Sequence, residues 1–467
     1  MQDERRPGQN SNLGLGAASN ALSLPPAPKG KRTIFAPASG FGRAAICVVR
    51  ISGPSSEGAL RALTDGRLPP PRLATLKTLK DPKSGEALDR ALVLRFPGPN
   101  SYTGEDALEF HLTGGRAVVA AVIRALSSLE DLRPAEPGEF ALRAFENGKL
   151  DLSQVEGLAD LVDAQTEAQR RQALRIASGA LSRLAEDLRL EILEAMAGVE
   201  AAIDFSDQED VTDQTLARAR NAAESVAARL REALRGADRG ERLRQGFNVV
   251  IAGPPNVGKS TLMNVLARRD VAIVSEIPGT TRDAIEVHLE LRGLPVTLVD
   301  TAGIRETDDP IEREGVARTR RRAAEADLIL WLSEADSPTL SVGAAGGPPI
   351  IALRSKADRI PPGKASGRLA ISSRTGLGLD LLLDLIGKAA EEQFEGADQA
   401  LIASARHRSA FEEALSHLER IDAGAAVAPE FIAEDLRLAA RALERIAGRI
   451  DVEEVLGVIF SRLCIGK

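Results

Sequence analysis

Only two of the 467 residues are cysteine, Cys47 and Cys464, so no disulfide framework holds this chain together, and the count suits a reducing cytosol. Aromatic residues are equally scarce. They make up 3% of the chain against 43% hydrophobic content, which implies an aliphatic core rich in Ala and Leu. Histidine occurs only at positions 111, 288, 407 and 417, without the spacing of a metal site. No apolar run is long enough to cross a bilayer, and the expectation is a cytoplasmic chain with no membrane partner. A net charge of −7 excludes nucleic-acid binding through bulk positive charge, so any such partner must meet a local patch or a second protein. Arg318, Arg320, Arg321 and Arg322 form one such patch, although a solvated helix face is the more ordinary meaning of a short charge run. Residues 1–32, rich in Gly, Ser, Asn, Ala and Pro, read as a disordered extension. Asp3 and Glu4 speak against a transit peptide, and the missing apolar segment speaks against secretion.

What is present is most informative at Phe247–Thr261, FNVVIAGPPNVGKST, where a β-branched strand runs into G-x-x-x-x-G-K-S and then a helical pattern. A strand feeding a glycine-rich loop at a helix N-terminus aims several backbone N–H groups at one point, as a nucleotide's phosphates require. Gly253 and Gly258 allow the tight turn, Lys259 can reach the β- and γ-phosphates, and the Ser260 hydroxyl can ligate Mg²⁺. Three further signals follow in order. Val296–Gly303, VTLVDTAG, is a buried strand ending in Asp300, with a glycine N–H placed for the γ-phosphate. Ile350–Asp358 ends in Lys356-Ala357-Asp358, whose carboxylate offers paired acceptors to the N1–H and N2–H₂ donors of guanine, a pair that adenine lacks. Arg368–Gly378, RLAISSRTGLG, matches the serine-rich turn that backs the base. Together they predict a nucleoside triphosphate site with a preference for GTP.

Two departures sharpen this reading. Guanine-specific GTPases usually carry Asn where this chain has Ser355, and a hydroxyl is shorter and has one donor instead of two; the expected cost is about 1 kcal/mol of nucleotide binding. After Asp300-Thr301-Ala302-Gly303 comes Ile304, where Ras-like enzymes place a glutamine that orients the attacking water. An aliphatic side chain orients no water, so the acidic stretch from Arg305 to Glu312 is where to look for a substitute. The segment Ser275–Asp283 likewise holds no arginine placed like the in-cis finger of Gα. The Asn256 carbonyl oxygen can instead help to hold a monovalent cation beside the phosphates.

Beyond these motifs the two ends of the chain speak. TIFAPASGFGRAAICVVRISGP (33–54), FPGPNSYTGEDALEF (96–110), RPAEPGEFALRAFENGKLDLSQVEGLADLVDA (133–164) and the terminal CIGK (464–467) make the sequence resemble the MnmE (TrmE) family of tRNA modification GTPases over nearly everything after residue 32. Short β-branched stretches alternate with turns from 33 to 147, with Ala45–Ile51 and Ala91–Phe96 as strands and Ala117–Leu129 as a helix. From Leu150 to about Leu234 the pattern is helical, with Leu152, Val155, Leu158, Ala159 and Val162 on one face, and helix resumes from about Leu401 to Leu463. The predicted fold is therefore multidomain. An α/β N-terminal domain (33–147) precedes an all-α domain built from two discontinuous segments (148–245 and 397–467), between which a Ras-like α/β P-loop G domain (246–396) is inserted.

The resemblance implies roles by position. Guanine nucleotide would lie against Asn256, Val257, Gly258, Lys259, Ser260 and Thr261, the switch Ser275-Glu276-Ile277-Pro278-Gly279-Thr280-Thr281, Asp300 to Gly303, and Ser355 to Asp358. Ser260 and Thr281 would hold Mg²⁺. Asn256, Ser275, Ile277 (through its carbonyl) and Thr280 would hold K⁺, and Glu312 would be the catalytic acid acting with Lys259. Arg50, Glu105, Lys149 and Lys467 would bind a 5-formyl- or methylene-tetrahydrofolate, the carboxylate facing the pterin and the cations the glutamate tail. The family's ATPPGRG turn is here Ala36–Gly42, APASGFG, and its C-H-G-G is His111-Leu112-Thr113-Gly114-Gly115, two changes that reshape that pocket. Also implied are a homodimer, an FAD-dependent partner, MnmG (GidA), in a heterotetramer, and tRNA as substrate. Cys464 reads either as a thiol that attacks C6 of uracil or as a small residue in a docking tail. An Era- or Der-type ribosome-assembly GTPase is the alternative. That reading needs a basic RNA-binding module after the G domain, and a dynamin-like reading needs a membrane-binding segment; neither is evident.

Overall fold

The computed structural model describes residues 32–40, 42–204, 209–269, 271–273, 286–300, 326–334, 347–359, 369–422 and 428–450, together with Ile459, Phe460, Leu463 and Gly466. The chain forms two compact units, residues 1–150 with 464–467, and residues 151–463.

In the first unit six strands pair in the order β3-β4-β5-β2-β1-β6, where β1 is Thr33–Pro37, β2 Ile46–Ser52, β3 Thr75–Lys80, β4 Ala87–Phe96, β5 Ala107–Thr113 and β6 Leu132–Pro134. All neighbours run antiparallel except β1 and β6. Alternation along β2 and β5 sends Val49, Ile51, Leu108, Phe110 and Leu112 into a core shared with helices α1 (Ser56–Leu63) and α2 (Arg116–Ser127). A third helix, α3 (Glu139–Glu146), contributes Phe140 to a smaller cluster with Ile34 and Ala36. β4 begins four residues before the predicted strand. The Asp89 carboxylate in this added stretch accepts from the Thr113 backbone N–H at 2.7 Å and closes the β4–β5 edge.

The second unit opens with α4 (Leu152–Asp163), capped by Asp151, whose carboxylate accepts from the Gln154 N–H. Its buried face differs from the predicted stripe. Val162 is exposed, whereas Glu156 and Gly157 are buried, because helix α5 (Glu167–Ala177) crosses so closely that a Cβ on Gly157 would lie 2.4 Å from the Ala177 nitrogen. Helices α6 (Ala180–Asp204) and α7 (Glu209–Arg235) then share one aliphatic core with α11 (Ala405–Asp422) and α12 (Pro429–Ala447). Leu188, Ile192, Val226 and Leu230 from before the inserted segment share one core with Phe411, Leu418, Leu436 and Leu443 from after it.

Helix α8 (Ala237–Gln245) leads into the inserted α/β layer: β7 (Phe247–Ala252), α9 (Lys259–Leu266), β8 (Glu286–Leu291), β9 (Leu294–Asp300), β10 (Leu328–Ser333), β11 (Ile350–Arg354), β12 (Leu369–Ala370) and α10 (Leu379–Gln393). The described strands order as β12-β11-β10-β7-β9-β8, parallel except β8. β7 lies between β9 and β10, so strand order reverses at its carboxyl end, the place where open α/β sheets open a ligand crevice. The two chain crossings between the bundle and this layer are packed backbone to backbone. A Cβ on Gly240 of α8 would fall 2.3 Å from the Ile402 carbonyl oxygen, and the buried Gln172 amide lies 3.3 Å from the carbonyls of Gly240, Ala397 and Ala400.

The halves of the bundle are also joined by charge. Glu156 of α4 accepts from Arg406 at 2.6 and 2.9 Å and from His407 at 2.5 Å, and Arg406 donates on to the Arg445 carbonyl at 2.7 Å. One turn along α4, Asp160 pairs with Arg244 of α8 at 2.7 Å. Burial pushes the Glu156 carboxyl up, yet bonds and charges from His407 and Arg406 outweigh it and hold it at about 2. Burial also keeps the His407 ring below its ordinary value, so Arg406 supplies the lasting positive charge. Asp160, raised to about 6 chiefly by burial, titrates in the opposite sense.

Replacing Glu156 by Gln leaves the half-buried Arg406 without its counter-charge and the buried His407 without its carboxylate acceptor, and a loss of about 3 kcal/mol in chemical denaturation is expected. The wild-type contribution is complete above the ordinary glutamate value of 4.5 and disappears as pH falls towards about 2, so the variant's deficit shrinks with acid. A deficit that does not change between pH 7 and pH 3 contradicts this account.

Candidate functional site

The loop after β7 lies flat on the sheet because Gly253 has no side chain. Its φ is +145°, and a Cβ would sit 2.3 Å from the Leu332 carbonyl oxygen of β10. Asn256 (φ +61°) and Gly258 (φ +102°) then turn the backbone left-handed, Val257 is buried as the loop's anchor, and Gly258 caps α9. Lys259 folds back over the loop, its ammonium donating to the Gly253 and Pro254 carbonyls at 2.9 and 3.0 Å. A buried cation folded over a glycine-rich loop at a helix N-terminus is a receptor for phosphate. Ser260 Oγ donates to Asp300 Oδ2 at 2.8 Å, where the register opposes Ile251 of β7 to Asp300 of β9. A hydroxyl and a carboxylate thus meet at the mouth of the crevice, a donor set suited to a hard divalent cation. Thr261 stands exposed on the first turn of α9.

Across the sheet, the turn after β11 brings up the base-side residues. Lys356, at φ +55°, donates to the Asn256 carbonyl at 3.0 Å and pairs with Glu334, so the phosphate loop and the base loop are tied through an ammonium. Asp358 accepts from Ser372 Oγ at 2.7 Å, a bond that leads the causes holding its carboxyl low and ionised. The Ala357 N–H donates to the Ile371 carbonyl at 3.0 Å, fixing the serine-rich turn beside the Lys-x-Asp segment. Ser355 is buried; both its N–H (2.9 Å) and its hydroxyl (3.2 Å) point at the Ser333 carbonyl. The single hydroxyl proton is therefore spent inside the fold.

Of the remaining site residues on the nucleotide side, Ser275 to Thr281, Thr301, Ala302, Gly303 and Glu312 lie outside the described residues, as do Arg318 and Arg320 to Arg322.

In the first unit, Arg50 of β2 and Lys149 line a cavity of about 590 Å³ together with Arg72, Phe96, Tyr102 and Glu109. Arg50 pairs with Glu109 at 3.0 Å, stands 4.9 Å from the centre of the Tyr102 ring, and reaches the Gly466 carbonyl at 3.4 Å, so Gly466 packs on this unit. A Cβ on Gly466 would lie 2.2 Å from the Pro37 carbonyl oxygen. Lys467 and Cys464 themselves lie outside the described residues. Glu105 does not line this cavity. Its carboxylate accepts from the buried Arg143 at 3.0 Å and from Ser52 Oγ at 2.7 Å. The carboxylate in the cavity is Glu109, which sequence reasoning passed over because only the pairing of β2 with β5 places it directly opposite Arg50.

Comparison with known proteins adds decisive observations. The family description "MnmE helical domain" matches residues 152–464 and "GTP-binding protein TrmE N-terminus" matches residues 33–149. Proteins named tRNA modification GTPase MnmE are similar along nearly their whole length: 56% identical in Methylobacterium sp. (strain 4-46), over 93% of this chain and 99% of the relative. The Beijerinckia indica protein is 55% identical over 93% and 96%, and that of Methylobacterium radiotolerans 53% over 93% and 99%. The chain belongs to the MnmE family. It is a GTPase that acts in tRNA modification, with a Ras-like G domain, a TrmE-type N-terminal domain and the MnmE helical domain. Among the described residues no helix is long and apolar enough to cross a membrane.

Ser355 is the informative departure within this MnmE site. Restoring a carboxamide with Ser355→Asn supplies a donor that the hydroxyl lacks, and guanosine diphosphate is expected to bind about fivefold tighter in a fluorescence titration, roughly 1 kcal/mol for one hydrogen bond. Unchanged affinity means that the serine already meets the need.

Proposed function

We propose that this MnmE-family GTPase is a K⁺-stimulated homodimer. With the FAD-dependent MnmG (GidA) in a heterotetramer, it installs an aminomethyl or carboxymethylaminomethyl group at C5 of the wobble uridine of tRNA. A reduced folate, 5-formyl- or methylene-tetrahydrofolate, supplies the one-carbon unit. The observation that supports it most is the Ser260–Asp300 contact beneath the phosphate loop, in a chain whose relatives are named for GTP hydrolysis and tRNA modification.

In this reading the Lys259 ammonium leaves the Gly253 and Pro254 carbonyls for the β- and γ-phosphates, and the loop amides take the remaining oxygens. Ser260, with Thr281 from the switch, holds Mg²⁺; Asn256, Ser275, the Ile277 carbonyl and Thr280 hold K⁺. Asn256 fits that role because its left-handed backbone leaves the side chain at the exposed rim of the loop. When bound, the two cations neutralise the charge that builds on the phosphoryl group as the bond to the leaving phosphate breaks. Glu312 orients the attacking water, and Asp358 accepts the guanine N1–H and N2–H₂. Glu276, Pro278, Gly279, Thr301, Ala302 and Gly303 complete the nucleotide shell. The folate is placed in the cavity of Arg50 and Lys149, closed by Lys467, with Glu105 steadying Arg143 behind it and Glu109 available to the pterin. Leu76 and Leu92 pair across β3 and β4 as exposed apolar side chains, and Ile46 of β2 is exposed as well. A second copy would cover this surface in the homodimer.

GTP turnover is expected to be at least about tenfold faster in KCl than in NaCl at equal ionic strength, because the ion replaces an arginine finger that contributes orders of magnitude elsewhere. Glu312→Ala is expected to abolish turnover while leaving nucleotide affinity intact. Equal rates in the two salts overturn the cation reading. The wider function is tested by mass spectrometry of tRNA nucleosides from a deletion strain: loss of the wobble substituent supports it, and an intact substituent with accumulated ribosomal precursors refutes it.

A further inference from the structure

A second cavity, of about 570 Å³, opens in residues 151–463 where the chain leaves the α/β layer. Its floor is aliphatic, formed by Leu184, Ala233, Ala400 and Leu401. Its walls carry four guanidinium groups, Arg175, Arg229, Arg235 and Arg239, against one carboxylate, Glu232. This local excess is notable in a chain of net charge −7.

The partners of these arginines decide how much of the charge is available. Arg175 donates to the Gln399 carbonyl at 2.8 Å and Arg239 to the Glu395 carbonyl at 2.8 Å. Carbonyl acceptors orient a guanidinium without cancelling its charge. Arg229 pairs with Glu191 across two helices, and Arg235 pairs with Glu232 one turn away, both at side chains that are well exposed. Such exposed pairs are worth little and exchange readily for a better anion. The neighbouring Asp398 carboxylate is turned towards Arg171 at 3.9 Å.

We propose that this groove is a contact site for the phosphodiester backbone of tRNA, the guanidiniums of Arg175, Arg229, Arg235 and Arg239 meeting phosphate oxygens and the aliphatic floor accepting a ribose or base edge. The proposal rests on the tRNA reading above and adds to it where the RNA lies. Arginine, present here at all four positions, presents a planar fork that matches phosphate oxygens, which a lysine ammonium does not. A polyanion approaching an acidic protein also needs such a local positive surface in order to bind. An acidic protein segment would match the charge but not the guanidinium fork as well, and it becomes an outcome of the test.

The test uses the full-length protein and fluorescently labelled tRNA, followed by anisotropy between about 50 and 200 mM salt. Arg235→Glu combined with Arg239→Gln is expected to weaken binding about tenfold and to lower the slope of log affinity against log salt by about one to two. Glu232→Gln, which removes the one carboxylate, is expected to tighten binding about threefold, a gain that misfolding cannot produce. GTP hydrolysis without tRNA, measured on each variant, should stay at the wild-type rate and so report an intact fold. The proposal is overturned if both variants bind tRNA with wild-type affinity and salt slope. It is also overturned if a poly-glutamate peptide displaces tRNA at equal charge concentration, or if the wild-type protein alone binds no tRNA. In each case the nucleoside analysis of the deletion strain decides separately whether the modification function stands.

Discussion

A buried carboxylate on one helix holds together two stretches of chain that the sequence separates by about half its length. Glu156 stands before the inserted G domain and Arg406 and His407 after it; Glu156 and His407 are buried and Arg406 half-buried. The aliphatic core of α6, α7, α11 and α12 supplies most of the cohesion, but apolar contacts are tolerant of sliding. An ion pair with a second carbonyl bond to Arg445 is not, and a buried charge without its counter-ion is costly enough to reject other registers. The bundle can therefore be interrupted by a whole domain and still close in one arrangement.

The nucleotide site depends on the same economy of placement. Gly253 lets the loop touch Leu332, Val257 anchors it in the layer, and Lys356 ties it to the base side through the Asn256 carbonyl. Lys259 and Ser260 are occupied by carbonyl and carboxylate oxygens of the fold, partners that a nucleotide's phosphates can replace.

Much of this was legible in the chain of letters. Glycines at fixed offsets, a lysine and a serine at a strand-to-helix junction, and an Asp at the end of an apolar run have meanings that are local, so spacing alone located them. The discontinuous bundle was legible for a related reason: each helical half shows an apolar stripe with nothing nearby to cover it. What escaped reading was set by long-range contact. Glu156 sits where a charged residue ordinarily faces solvent, and Val162 was expected inside until the backbone approach at Gly157 turned the face of α4. Glu105 precedes β5 by two residues and Glu109 lies within it, and Arg143, the partner of Glu105, is a neighbour that only the folded chain brings close. Ser355 could be flagged as unusual from the sequence, but its preference for the Ser333 carbonyl could not.

The two crossings between bundle and G domain run side by side, with Gly240 pressed on Ile402 and one amide, that of Gln172, within reach of carbonyls on both. Such a paired stem resists bending at either strand alone, much as a two-ply strap resists a kink that a single thread would accept. A shift of one crossing therefore has to carry the other, and with them the ends of α8 and α11, because the Gln172 amide lies within reach of both.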